Sequence, residues 1–142
     1  MTIRERAYHD AMRLPVALLA DRLQDTLGQQ ITAYAVGLKD PRIIGKYARK
    51  AVKKPAEPTT DRLRRLYVIT QILLTCETPE TVRAWMIGAN PLLEDRPPIQ
   101  LLHEEDDQPV EGAAKATAPP PFASSAGYLP VLDAAESFVT AA

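Results

Sequence analysis

The chain has 142 residues, 46% of them apolar, and a formal net charge of −1, which suits one domain or two very small ones sharing a core. It has no run of about 18 apolar residues, so no membrane span is expected, and "MTIRERAYHDAMRLP" lacks the apolar stretch of a signal peptide. The single cysteine, Cys76, excludes an internal disulfide and makes the cytoplasm the expected location.

The near-neutral total hides two opposed blocks. Residues 39–65 carry ten basic and three acidic side chains, whereas residues 94–142 carry two basic and nine acidic ones. A basic middle and an acidic end point to two surfaces with different partners.

Taken in chain order, the apolar spacing is helical nearly throughout, and no alternating strand pattern or repeat is present. Val16, Leu19, Leu23 and Leu27 form one stripe, closed by Gly28 as a C-terminal cap. A short helix is expected over about residues 31–37. Asp40 and Pro41 then form a cap-and-proline start for a helix reaching Ala51. On it Arg42, Gly45, Lys46 and Arg49 share one face, and Ile44, Tyr47, Ala48 and Ala51 another. Gly45 costs up to about 1 kcal/mol against alanine, and at an exposed position it would admit a close approach. Lys39 precedes this helix, and Lys50, Lys53 and Lys54 extend its charge.

A short helix, a three- or four-residue turn and a basic second helix make a helix-turn-helix, in which the second helix enters the major groove. Double-stranded DNA is therefore the expected partner, met by Lys39, Arg42, Gly45, Lys46, Arg49, Lys50, Lys53 and Lys54. Gln29 and Gln30 could reach phosphates at the start of the preceding helix. The competing reading is a solvated basic face on an ordinary helical bundle.

"KKPAEP" breaks the chain, and a longer helix starts at Thr60 or Asp61 with Leu63, Leu66, Tyr67, Thr70, Leu73 and Leu74 on one face. Arg62, Arg64 and Arg65 would lie in its first turns, where the macrodipole disfavours cations, which fits either a nearby phosphate or tolerance at a solvated surface. Thr78-Pro79-Glu80 starts the next helix, striped by Val82, Trp85, Met86 and Ala89. "ANPLLEDRPP" reads as a turn or loop and "IQLL" as a short helix. Trp85 is expected to pack under that turn, with Leu92, Ile99, Leu101 and Leu102 closing over it. From about Ala118, "APPPFASSAGYLP" reads as a linker or disordered tail, and "VLDAAESFVTAA" as a marginal helix.

Catalysis finds little support. His9 and His103 have no metal-ligand neighbours at suitable spacing. Cys76, in "LLTCET", reads as a buried small hydrophobe. There is no phosphate-binding glycine loop. No enzyme, cofactor or metal site is expected.

Ala84, Trp85, Asn90, Pro91, Leu92, Pro98, Leu101 and Leu102 follow the order of an alanine-tryptophan pair, an asparagine-proline turn, a leucine, and a proline followed by leucines. This pattern, behind a helix-turn-helix, resembles the Xre/MbcA/ParS antitoxin family with its toxin-binding domain. The resemblance spans residues 12–117. It implies an all-α fold with an Xre-like helix-turn-helix over 12–70, a toxin-binding-like module over 71–117, and a proline-rich disordered tail over 118–142.

The resemblance also implies a type II antitoxin that assembles with copies of itself and represses its own operon at the nucleoid. It would neutralise a RES-type toxin that degrades NAD. Toxin contact would fall to Trp85, Asn90, Pro91, Arg96 and Pro98, and to Val110 and Lys115 in "QPVEGAAKA", which is similar to the family's cleft-plugging end. The chain departs from the family at "LEDRP", where a glycine-rich turn is usual, and continues beyond Ala116. The alternative is a stand-alone helix-turn-helix regulator without a toxin.

Overall fold

The computed structural model describes residues 1–104 and 127–141. These residues are all-helical, as the spacing predicts: α1 (Ile3–Arg13), α2 (Val16–Leu27), α3 (Gln29–Ala35), α4 (Arg42–Ala48), α5 (Glu57–Leu74), α6 (Pro79–Ile87), a 3-10 turn (Pro91–Leu93), α7 (Pro98–His103) and α8 (Tyr128–Ala141). None of these helices is long and apolar enough to cross a membrane.

Helix α5 is the centre. Leu63, Leu66, Tyr67, Val68, Ile69, Ile72 and Leu73 are all buried, so it is apolar around most of its circumference. Such a helix must be wrapped. Helices α1, α2 and α8 do this, while α4 lies against α2. One continuous cluster of buried apolar residues runs from Ala7 to Val139. The boundary expected between residues 70 and 71 falls inside α5, so the two modules share a core.

Helix α1 lies before the expected start of the folded region and was not anticipated. Only the small Ala7 and Ala11 are buried on it, which leaves a faint apolar stripe. Its legible signal is the cap: Thr2 Oγ1 accepts from the Glu5 backbone N–H at 3.1 Å, the first half of a capping box.

At the end of the chain the helix expected over residues 131–142 is present, docked on the core and not part of a disordered tail. Residues 128–141 form α8, which buries Tyr128, Val131, Leu132, Ala134, Ala135 and Val139. Isolated, a helix of this length would be marginal, but docking on α5 supplies about 1.5–3 kcal/mol for each large apolar side chain buried. Arg4 of α1 ties it down further, pairing with Asp133 at 2.8 Å and with Glu136.

The arginines at the start of α5 do not await a phosphate. The helix begins at Glu57, so Arg62 and Arg64 stand past its first turn, beyond the reach of the dipole penalty. Arg64 donates to the carbonyls of Ala11 and Leu14 (2.9 Å), closing α1. Arg62 donates to those of Leu102 (2.5 Å) and His103 (3.1 Å), closing α7. On α6, Arg83 donates to Thr26 O at 2.9 Å and closes α2. In each case a guanidinium satisfies carbonyls that a helix end leaves without an intrahelical donor. Arg65 is buried as well.

Cys76 also departs from expectation. It is exposed just past the end of α5, with Sγ 4.0 Å from Val139 O.

Candidate functional site

The short α3 and α4 follow one another where the helix-turn-helix was expected, but six residues, 36–41, connect them in place of the expected three or four. Both helices end in the same way. At the end of α3, Gly37 is left-handed (φ 79°), with Gly37 N–H donating to Tyr34 O and Leu38 N–H to Ala33 O. At the end of α4, Lys50 is left-handed (φ 57°), with Lys50 N–H donating to Tyr47 O and Ala51 N–H to Lys46 O. These are Schellman caps, which usually place glycine where Lys50 stands. The helix therefore stops at Ala48 instead of reaching Ala51, and Lys50, Lys53 and Lys54 follow it on an exposed segment.

Helix α4 buries Ile44 fully and Tyr47 and Ala48 partly. Arg42 and Arg49 are exposed, and Lys46 is half-buried. Gly45, expected as an open slot on the basic face, is buried instead. A Cβ there would fall 2.6 Å from Gln29 Nε2 and 3.2 Å from Arg49 Nη1. The Gln29 carboxamide, donating to Gln24 Oε1 at 3.0 Å, thus lies across α4 at Gly45. The glycine admits a neighbouring side chain, not a ligand, and Gln29 is engaged within the protein. Gln30 is exposed.

Arg42 is not free either. Asp40 accepts from its backbone N–H at 3.0 Å and pairs with its guanidinium at 3.1 Å. Hydrogen bonds from the Arg42 side chain and backbone hold the Asp40 carboxyl below its ordinary value. The other cations are different. Among the described residues, Lys39, Lys46, Arg49, Lys50, Lys53 and Lys54 have no carboxylate within ion-pair distance. Lys50 and Lys54 flank a notch of about 290 Å³ formed with Tyr47, Val52 and the start of α2.

The second candidate surface lies between α6, the turn after it and α8. Trp85, Asn90 and Pro91 line one apolar groove, as their grouping in the sequence suggests. Its far wall is α8, through Ala134, Ser137, Phe138 and Ala141, and Phe138 stands 6.2 Å from Trp85 between ring centroids. This wall was missed. Its signal was present as apolar residues at spacings of four and three in "AAESFVTA", namely Ala134, Phe138 and Ala141.

Within this corner the leucines exchange roles. Leu92, expected to close over Trp85, is 64% exposed on the lip of the groove, while Leu93 is 5% exposed in the core. Asn90 is buried, and its carboxamide oxygen accepts from Leu92 N–H at 2.9 Å, capping the 3-10 turn. Pro98 is buried at the first turn of α7. Arg96 pairs with Glu104 at 2.6 Å and reaches Gln100 at 3.4 Å, so it braces α7. Val110 and Lys115 lie outside the described residues.

In "LEDRP", Glu94 and Asp95 both adopt left-handed backbone (φ 56° and 61°). The Asn90 carbonyl accepts from both Leu93 and Asp95 N–H at 2.9 Å, which holds the turn. Two successive non-glycine residues in this region cost about 1–2 kcal/mol each, and the surrounding packing maintains them.

His103 stacks on Tyr34, with ring centroids 4.0 Å apart and planes 6° from parallel. Its Nδ1 donates to Tyr34 O at 2.8 Å, which joins α7 to α3. His9 is exposed and edge-on to Tyr8. Among the described residues no three His, Cys, Asp or Glu side chains converge on one point as a metal site would require.

Comparison with protein-family models, with curated proteins and with solved structures finds no match for this chain.

Proposed function

We propose that the chain is a DNA-binding antitoxin, which represses its own operon through α3 and α4 and neutralises a RES-type, NAD-degrading toxin through its C-terminal half. The observation that carries the DNA reading is the row of six cations on and around α4 that have no carboxylate partner among the described residues. An ordinary solvated face intersperses both signs. Cations left uncompensated beside a helix-turn-helix instead suit phosphate contact, which releases counterions. The toxin reading draws on the family resemblance of residues 84–102 and on the apolar groove those residues line.

Fluorescence anisotropy with the protein's own upstream DNA, across a salt series, tests the first part. Binding should weaken with salt at a slope of roughly −0.9 per phosphate neutralised, and each of Lys46→Ala, Arg49→Ala and Lys50→Ala should flatten the slope by about 1. A slope near zero, or one unmoved by these changes, overturns it. Co-expression with the product of the neighbouring gene tests the second part: rescue of growth and of NAD levels is expected.

A stand-alone regulator is the second reading. The Glu94–Asp95 turn favours it, because charged residues occupy the place of the family's glycines. DNA binding without any rescue would select it.

A further inference from the structure

The groove between α6 and α8 has a specific chemistry. Trp85 and Phe138 line it together with alanines and Gly88, and it is open over about 560 Å³. Leu92, 64% exposed, stands on its lip. Large apolar side chains displayed together on a protein surface mark a place that something covers.

The charges around it say what kind of partner that is. Described residues 76–104 and 127–141 carry seven carboxylates (Glu77, Glu80, Glu94, Asp95, Glu104, Asp133 and Glu136) and two guanidiniums (Arg83 and Arg96). Both guanidiniums are occupied, Arg83 with Thr26 O and Arg96 with Glu104, while Asp133 and Glu136 are paired with Arg4. Glu94 and Asp95 follow Leu92 of the lip by two and three residues, are exposed, and have no ion-pair partner among the described residues. Their left-handed backbone holds them there against a conformational cost. An acidic segment would be repelled from this edge, and a purely apolar one would leave the two carboxylates without a counter-charge.

We infer that this groove receives a protein segment presenting one large apolar side chain flanked by lysine or arginine. The apolar side chain enters between Trp85 and Phe138, and its cationic neighbours meet Glu94 and Asp95. This rests on the reading of the C-terminal half as a protein-binding module and adds the chemistry of the partner.

Trp85 is the chain's one tryptophan, so its emission reports on the groove directly. The full chain is titrated with three synthetic peptides: a leucine between two pairs of lysines, the same peptide with serine for leucine, and the same peptide with glutamates for lysines. The first should shift Trp85 emission, and the other two should bind at least roughly tenfold more weakly, a difference of about 1.4 kcal/mol. Leu92→Ser, at an exposed position, should weaken the first peptide while leaving the circular dichroism spectrum and DNA binding intact. The pair Glu94→Lys and Asp95→Lys should reverse the preference toward the glutamate peptide.

Equal responses to all three peptides, or none at about 1 mM, a concentration that detects binding as weak as roughly 4 kcal/mol, overturns the inference. So does a shift in Trp85 emission with protein concentration alone, which would assign the groove to a second copy of the chain. Failure of toxin rescue with a positive peptide result removes the antitoxin reading and leaves this one standing.

Discussion

The guanidinium of Arg62 lies beneath Gly37, so close that a Cβ at that glycine would fall 2.5 Å from Nη1. The same guanidinium closes the C-terminus of α7. One side chain thus holds the end of α3 and the end of α7 together, and the His103–Tyr34 stack lies at the same junction.

Gly37→Ala should therefore cost more than a left-handed alanine alone, which is worth about 1–2 kcal/mol, because Arg62 must also move. Arg62→Met removes the donors to two carbonyls and should cost about 1–3 kcal/mol. If the two residues act as a unit, the double variant will be less destabilised than the sum of the single ones. Urea unfolding of all three variants measures this.

Glu94→Gly should stabilise the protein by about 1 kcal/mol, since glycine carries no penalty at φ 56°. The same logic applies to Lys50→Gly at the end of α4, with a different consequence. It should raise the thermal midpoint and at the same time weaken DNA binding by one phosphate contact. Stability and affinity moving in opposite directions would separate the two roles of that lysine.

A chain ending at Glu104 should lose cooperative unfolding or be destabilised by more than about 4 kcal/mol, because Tyr128, Val131 and Leu132 would no longer cover α5. Denaturant curves of the truncated and full chains check this. Deleting the C-terminus is accordingly a poor way to separate toxin binding from DNA binding. Point changes such as Leu92→Ser leave the core intact.

The Asp40 carboxyl should titrate below the ordinary aspartate value of about 3.9, and Arg42→Ala should return it toward that value. Because its folded pKa is lowered, whatever the contact adds to stability is present above the ordinary carboxylate range and is lost as pH falls through the folded pKa. Side-chain carboxyl NMR across pH 2–6, a window chosen to span about two units either side of that value, resolves the shift directly.

Helix positions were legible wherever a strong stripe met a cap. Gly28, the Asp40–Pro41 pair and Thr78 mark ends that the structure places within a few residues of expectation. Helix α1 was not legible, because alanines give little contrast between faces. Nor was the burial of Gly45, since a helical wheel shows which side a residue is on but not what lies against that side. The same limit explains Leu92 and Leu93: in a three-residue turn, adjacent leucines diverge, and the carboxamide of Asn90 fixes which one turns inward.

By itself the sequence determined the all-helical class, the basic segment around α4 and the grouping of Trp85 with Asn90 and Pro91, because periodicity, charge and caps are local properties. Only the tertiary structure decided that Arg62, Arg64 and Arg83 serve helix ends, that α8 belongs to the core, and that Phe138 faces Trp85 across a groove. Those relations join residues some 50 or more positions apart in most cases, as Arg64 with Leu14 and Arg83 with Thr26 do. A carbonyl without a donor, or an apolar face without a cover, does not specify its partner until the chain has packed.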